Sequence, residues 1–402
     1  MQSFALEMHN PAMANTSDGQ ASESGSHAST ASETQRRSFP LSLAQQRLWV
    51  LDRLEPGNGV YNLAFAVRLD GPLDLDAVQR ALNSVAGWHE ILRAEFHVEH
   101  GEPVQVILPC HAVGATSVDL SDIPRTIKDS RVSQVLYEEV GKPFDLSNGP
   151  LFRTQILRLS PSKHILLLTV HRIICDDQSL GTLFAEIAAC YSARVRGEPW
   201  HPEEASDGYL GFASAQRERL FSDELQSQLA YWKQQLVGAP SSVDLPTDHT
   251  RAPVQSFRGD TSTGQISSTL YKRLQDLSRS RQVTLFTTLL TAFNILLWRY
   301  SAHDDLVVGT EVSGRTSPEM QNAIGLFANQ LVLRTNISGD PQVSALLRQV
   351  HATVEAAYAC QDIPFEHLVD ELNPERDLSR NPLFQIIFNL RNAPPDSWQM
   401  PN

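Results

Sequence analysis

Apolar residues recur along this chain with two periods, and the switches between them mark its elements. After a polar opening, LAQQRLWVLDRL follows Ser42 and sets Leu48, Leu51 and Leu54 on one face, which predicts a helix capped by Ser42. YNLAFAVRLDG then alternates as a strand does. Asp74 opens an amphipathic helix with Leu75, Val78, Leu82 and Val85 inward. LRAEFHVE and PVQVILP predict two strands, and residues 122–140 a polar helix. PLFRTQILRLS and HILLLTV, joined at Pro161-Ser162-Lys163, predict a hairpin. HILLLTV is apolar at nearly every position, as in a strand covered on both faces. That strand ends at His171. The loop RIICDDQ leads to Ser179, and Leu180, Leu183, Phe184, Ile187 and Tyr191 follow at helical spacing.

Residues 197–208 (GEPWHPEEASDG) read as an acidic loop and a lobe boundary. A long polar helix is predicted over 209–237, stopped by Gly238-Ala239-Pro240. Beyond it, strands flank 254–267 and helices cover 268–281 and 284–300. Strands read DLVVGTEV, NQLVLRTNI and FQIIFNLR, and helices lie near 342–358 and 364–372. Strands and helices mix without a strict βαβ rhythm. The fold class is therefore α+β, with mixed sheets in two lobes, 39–205 and 206–402. No residue-level repeat relates the halves. Residues 1–38, rich in Ser, Ala, Thr and Gly with little to bury, read as a disordered leader.

Composition narrows the function classes. The chain has 402 residues and is 41% hydrophobic, enough for sizeable cores. Lys plus Arg number 33 and Asp plus Glu 46, and 33 − 46 gives −13, which disfavours a nucleic-acid partner. Cys110, Cys175, Cys190 and Cys360 form no C-x-x-C pair and suggest neither a zinc site nor a disulfide framework. No apolar run reaches membrane-span length, and the first residues lack a signal-peptide pattern. The expectation is a cytoplasmic protein without a membrane partner. No Gly-rich phosphate loop and no H-E-x-x-H occurs, so no cofactor or metal of its own is expected.

The loop after the buried strand is where chemistry is concentrated. It places His171, Arg172, Asp176 and Asp177 between a core strand and a helix start, a rigid site for polar groups facing a cleft. Asp176 and Asp177 also suit a helix N-terminus and can act simply as caps. His171 fits a structural histidine as well as a base. Cys175 invites a thiol nucleophile with His171 as its base, but no third group is positioned, and a small buried residue is the plainer role.

Ordered motifs then add a family. LSLAQQRLWVLDRL, WHEILRAEF, HRIICDD, IGLFANQLVLR, CQDIPFEHLV and RDLSRNPLFQIIFNLRN, with LPTDHTRAP between, span residues 40–392. In these the chain resembles the condensation domains of nonribosomal peptide synthetases. The resemblance implies two chloramphenicol-acetyltransferase-like lobes in a V-shaped pseudo-dimer with a tunnel between them. It implies peptidyl and aminoacyl carrier proteins as partners, each bringing a substrate on phosphopantetheine. It also implies further strands and a closing helix beyond Asn402, so that the second lobe looks truncated.

The resemblance assigns roles within the loop. The family signature is His-His-x-x-x-Asp-Gly, whose second His handles the proton of the attacking amine or stabilises the charged intermediate. Here His171 matches the first, structural His, and Arg172 stands at the catalytic position. Asp176 matches an Asp that makes a structural ion pair, and Asp177 replaces the Gly. A guanidinium cannot act as a base near neutrality, although it can donate hydrogen bonds to an oxyanion. Asp177 is expected to pair with Arg172 and close the site. The stretch 209–216 departs as well, with Gly where Asp is usual and Ala where Trp is usual. The letters HRIICDD are similar to the loop of X domains of glycopeptide synthetases, which do not condense and recruit haem oxygenases.

Two functions follow as expectations. The first is a docking or recruitment module that engages carrier-bound thioesters, without its own amide-bond chemistry, and has a haem oxygenase or other tailoring enzyme as partner. The alternative is an active condensation enzyme in which Arg172 stabilises charge.

Overall fold

The protein is described here as a computed structural model covering residues 5–8, 36–109, 112–202, 208–255, 259–374, 377 and 379–391. The first lobe is built on a five-stranded sheet. Its order is β1 (Ala5–Met8), β3 (Asn62–Asp70), β8 (Lys163–His171), β7 (Phe152–Ser160) and β6 (Ala115–Asp119). Neighbours are antiparallel except β6 and β7. A second sheet runs β2 (Arg37–Pro40), β5 (Glu102–Ile107), β4 (Ala94–Glu99). Around these sheets lie helices α1 (Leu43–Leu54), α2 (Leu75–Trp88), α3 (Arg125–Gly141) and α4 (Asp177–Arg196).

Strand β8 is the middle of the large sheet, and its side chains serve two cores. Leu166, Leu168 and Val170 pack with Val78 and Leu82 of α2 and Leu183 and Phe184 of α4. Ile165 and Leu167 pack on the opposite face with Val132, Val135 and Leu136 of α3. The expectation of a strand covered on both faces is met. Burying each such side chain contributes about 1.5–3 kcal/mol, which fixes the strand's register and so the position of His171 at its end.

The second lobe pairs β9 (Asp305–Val312) with β10 (Asn329–Asn336), antiparallel. Helices α6 (Asp223–Leu236), α8 (Leu285–Ser301), α9 (Val343–Ala359) and α10 (Phe365–Leu372) bury Trp232, Leu297, Val350 and Leu368 around it. Helix α7 (Ser268–Ser280) lies outside, its buried positions limited to Ser278.

Several expectations change. Ser42 does cap α1, reciprocally with Gln45, but Leu54 is 70% exposed and does not share the buried face of Leu48. The long helix predicted over 209–237 is two helices, α5 (Gly208–Arg219) and α6, because Ser222 supplies a new N-cap to Leu225. The strands expected to flank 254–267 do not form: among the described residues between α6 and α7 there is none, and residues 256–258 lie outside those described. FQIIFNLR does not form a regular strand but touches β9 through one parallel bridge, Gly309 to Ile387. Of the expected leader, Ala5–Met8 and Arg37–Ser38 lie in strands, and residues 9–35 lie outside the described residues. Cys110 also lies outside them.

The chain does not keep to one lobe after the expected boundary between residues 205 and 206, which itself lies outside the described residues. Tyr209 and Leu210 of α5, with Ala323, Ile324, Leu326 and Phe327, belong to the first lobe's core. The Tyr209 hydroxyl hydrogen-bonds Ser42 Oγ at 2.8 Å. Its ring lies against Gly325, where an added Cβ would sit 2.1 Å from the ring. A segment of the second lobe is thus clamped under the loop that follows β8.

Candidate active site

The buried strand delivers His171 to the lobe junction, and a 3₁₀ turn at Arg172–Ile174 carries the chain into α4. Backbone bonds hold this turn at both ends. Arg172 N donates to Tyr61 O at 2.8 Å, and Asp176 N donates to Gly325 O at 2.9 Å.

His171 is 3% exposed. Its Nδ1 accepts from Ile173 N at 3.2 Å, and the rings of Tyr61 and Phe144 stand edge-on to it. Burial pushes its pKa down to about 3, so the imidazole is neutral and one nitrogen is committed to the turn. Cys175 is fully buried, its thiol donates to Asp176 O at 3.3 Å, and burial pushes that thiol well above its ordinary range. A thiolate needs the opposite environment, and His171 Nδ1 is already engaged. The plainer reading of Cys175, a small buried residue, fits this geometry.

Asp176 caps α4 through Ser179 N at 2.8 Å. It also receives Arg315 in a bidentate pair at 2.8 and 3.0 Å, and Phe327 N and Ala328 N at 3.0 and 3.2 Å. The Arg315 guanidinium is fully buried, lies 4.5 Å over the Phe327 ring and reaches Ser179 Oγ. Ser179 Oγ in turn donates to Gly325 O at 2.8 Å. A buried ion pair persists only when its remaining hydrogen-bonding capacity is met, and here backbone amides and a hydroxyl meet most of it. The result ties α4 to residues 315–328.

The two residues that depart from the signature point elsewhere. Arg172 Nη2 donates to Glu311 Oε1 at 2.9 Å. Asp177 Oδ2 accepts from Arg391 Nη2 at 2.7 Å. The pairing of Asp177 with Arg172 is therefore corrected: α4 carries Asp177 towards residues 386–391, and the turn aims Arg172 at β9. Both pairs join the lobes, and both are partly exposed, with side-chain exposures of 27% and 20% for the first and 39% and 44% for the second.

Glu311, Arg315 and Arg391 were not singled out in the sequence. Glu311 is an acid that follows the apolar middle of its strand and could have drawn attention; nothing local marks Arg315 or Arg391. A cavity of about 90 Å³ between the lobes is lined by Phe212, Leu225, Leu326, Phe327, Pro364 and Glu366, and His171 and Arg172 are not part of it. The loop offers hydrogen-bond donors and one half-buried cation held by a carboxylate.

The condensation-domain family model matches residues 35–400. The chain belongs to the condensation-domain family of nonribosomal peptide synthetases. One component of the linear gramicidin synthase of Brevibacillus parabrevis is 43% identical over 358 residues, covering 89% of this chain and 7% of that one. Another component of the same synthase is 44% identical over 354 residues, covering 88% and 7%. This chain thus spans only a small part of those relatives. Among solved structures, a complex of the X-domain and OxyB from teicoplanin biosynthesis is similar with a TM-score of 0.78 at 29% identity, covering 92% of this chain and 80% of that chain. A four-domain nonribosomal peptide synthetase shares the fold with a TM-score of 0.81 at 24% identity, covering 91% and 28%. The condensation fold expected from the sequence motifs is the fold observed. No single helix among the described residues is long and apolar enough to cross a membrane.

Proposed function

We propose that this condensation-family protein engages carrier-bound thioester substrates as a docking or recruitment module and does not itself form amide bonds. The observation that carries the reading is Arg172, which the family resemblance aligns with the catalytic His, bound to Glu311 at 2.9 Å. A guanidinium there is a donor only and cannot accept a proton from an attacking amine. His171 cannot replace it, because it is buried and its Nδ1 is occupied. The likeness to an X-domain solved with OxyB supports a tailoring enzyme as a further partner.

A second reading draws on the 43–44% identity to the linear gramicidin synthase components. In it the protein condenses, Arg172 stabilises the developing oxyanion, and the amine loses its proton to solvent.

One experiment separates them. Two carrier proteins loaded with aminoacyl phosphopantetheine are titrated against the protein for binding and followed by mass spectrometry for dipeptidyl carrier. The expected result is binding without product above the carriers alone, and product gained in Arg172→His with Asp177→Gly. General acid–base help is worth about 100- to 10,000-fold. Equal product from native protein and revertant establishes the second reading. Absence of carrier binding overturns both.

A further inference from the structure

Residues 386–391 carry the partner of Asp177 and hold Glu311, the partner of Arg172. The segment is moored in the second lobe. Phe384 packs onto Gly309, Gly309 N donates to Ile386 O at 2.8 Å, and Phe388 N donates to Gly309 O at 2.9 Å. The Phe388 ring lies 5.6 and 5.2 Å from those of Phe286 and Phe293. From that mooring the tip reaches back to the loop. Asn389 Oδ1 accepts from Glu311 N at 2.8 Å, and its Nδ2 donates to Glu311 Oε2 at 3.0 Å. Glu311 is thereby left with its other oxygen turned to Arg172. Two residues on, Arg391 meets Asp177.

The signs alternate across the junction. The first lobe presents a cation at Arg172 and an anion at Asp177; the second presents an anion at Glu311 and a cation at Arg391. Any slip that brought Arg172 towards Arg391, or Asp177 towards Glu311, would oppose like charges. Such patterning fixes register. Asp176, which lies between Arg172 and Asp177 in the chain, makes instead a buried pair with Arg315 that solvent ions do not reach.

We infer that Asn389 and Arg391 are positioning residues of a two-pronged electrostatic clasp, which holds the second lobe in register on the Arg172–Asp177 loop and loosens as ionic strength rises. The clasp is a property of the lobe junction and does not depend on whether carriers dock, so it stands or falls separately from the function proposed above. Its prongs are coupled through residues 389–391: loss of one loosens the other.

Amide hydrogen exchange of the full chain tests this, with Glu311 and Phe388 as reporters. Partly exposed pairs of this kind shift an equilibrium by up to about five-fold. Arg391→Gln should speed exchange at Glu311 and Phe388 by up to about that factor. Raising salt from about 0.05 to 0.5 M, which shortens the Debye length to a few ångströms, should do the same to the native protein and little more to the variant. Asp177→Asn should match Arg391→Gln, the double variant should add nothing further, and Arg391→Lys should restore most of the protection. The Ser179 and Phe327 amides, on the buried pair, should stay unchanged. The inference is overturned if Glu311 exchange is unaffected by Arg391→Gln and by salt, or if the two single variants add in full.

Discussion

His171 and Asp176 share one loop and have opposite relations to charge. His171 is kept neutral by burial, with a pKa near 3 in place of the ordinary 6.5. Between those values the unfolded chain binds more protons than the folded one. The stabilisation is therefore full above pH 6.5 and is lost as pH falls towards 3, by roughly 5 kcal/mol in all. His171→Asn keeps an acceptor near Ile173 N and does not titrate. It should be less stable at pH 7.5 yet show a shallower loss between pH 6.5 and 4, measured by urea unfolding across pH. An unchanged slope would remove His171 as its source. Asp176 needs its charge, because Arg315 opposite it is fully buried. Asp176→Ala leaves that cation without its partner and should cost about 3–5 kcal/mol, read as a lowered urea midpoint. A cost below about 1 kcal/mol would mean that the pair does not anchor the loop.

At the scale of elements, the loop is a hinge point between a strand, a helix and a crossing segment. Strand β8 sets where it begins, α4 where it ends, and residues 315–328 what it rests on. The last of these depends on glycine. Tyr209 lies against Gly325 while its hydroxyl meets Ser42 at the start of α1, so three distant elements meet at one side chain. Gly314 adopts φ +65°, and a Cβ there would meet Phe327 O at 1.9 Å. Gly325→Ala should force the Tyr209 ring away and destabilise by about 1–3 kcal/mol. Pairing it with Tyr209→Leu, which gives room, should recover part of the loss in thermal melts. A double variant as unstable as the sum of both singles would show that the ring and the glycine are independent.

At the scale of the whole molecule, the second lobe carries apolar residues at its surface. Leu270, Tyr271 and Leu277 on α7, Leu296 and Tyr300 on α8, and Ile387 and Leu390 beside β9 are each at least 42% exposed. Exposed apolar residues on this scale mark contact surfaces or aggregation liabilities. The full chain at tens of micromolar, about the range where such surfaces associate, should self-associate in light scattering, and Leu270→Lys with Leu277→Glu should reduce it. Monodisperse monomer from the native chain would count against an adhesive face.

The sequence by itself determined the elements and the family, because both reside in local pattern. Apolar spacing along β8, α4 and α9 dictates which face is buried, and the ordered motifs run nearly from end to end. The family resemblance also drew attention to the loop that holds His171, Arg172 and Asp176. The sequence misjudged what depends on distant partners. FQIIFNLR has the composition of a strand, but it makes a single bridge to β9 in place of a ladder; residues 209–237 have the polarity of one helix, but Ser222 competes for a second start. The partners of Arg172 and Asp177 were beyond it for the same reason. Charges separated by 139 and 214 residues along the chain become neighbours only once two cores have packed, and no local periodicity records which oxygen a guanidinium will reach. Tertiary structure decided that Arg172 and Asp177 bind the second lobe and not each other.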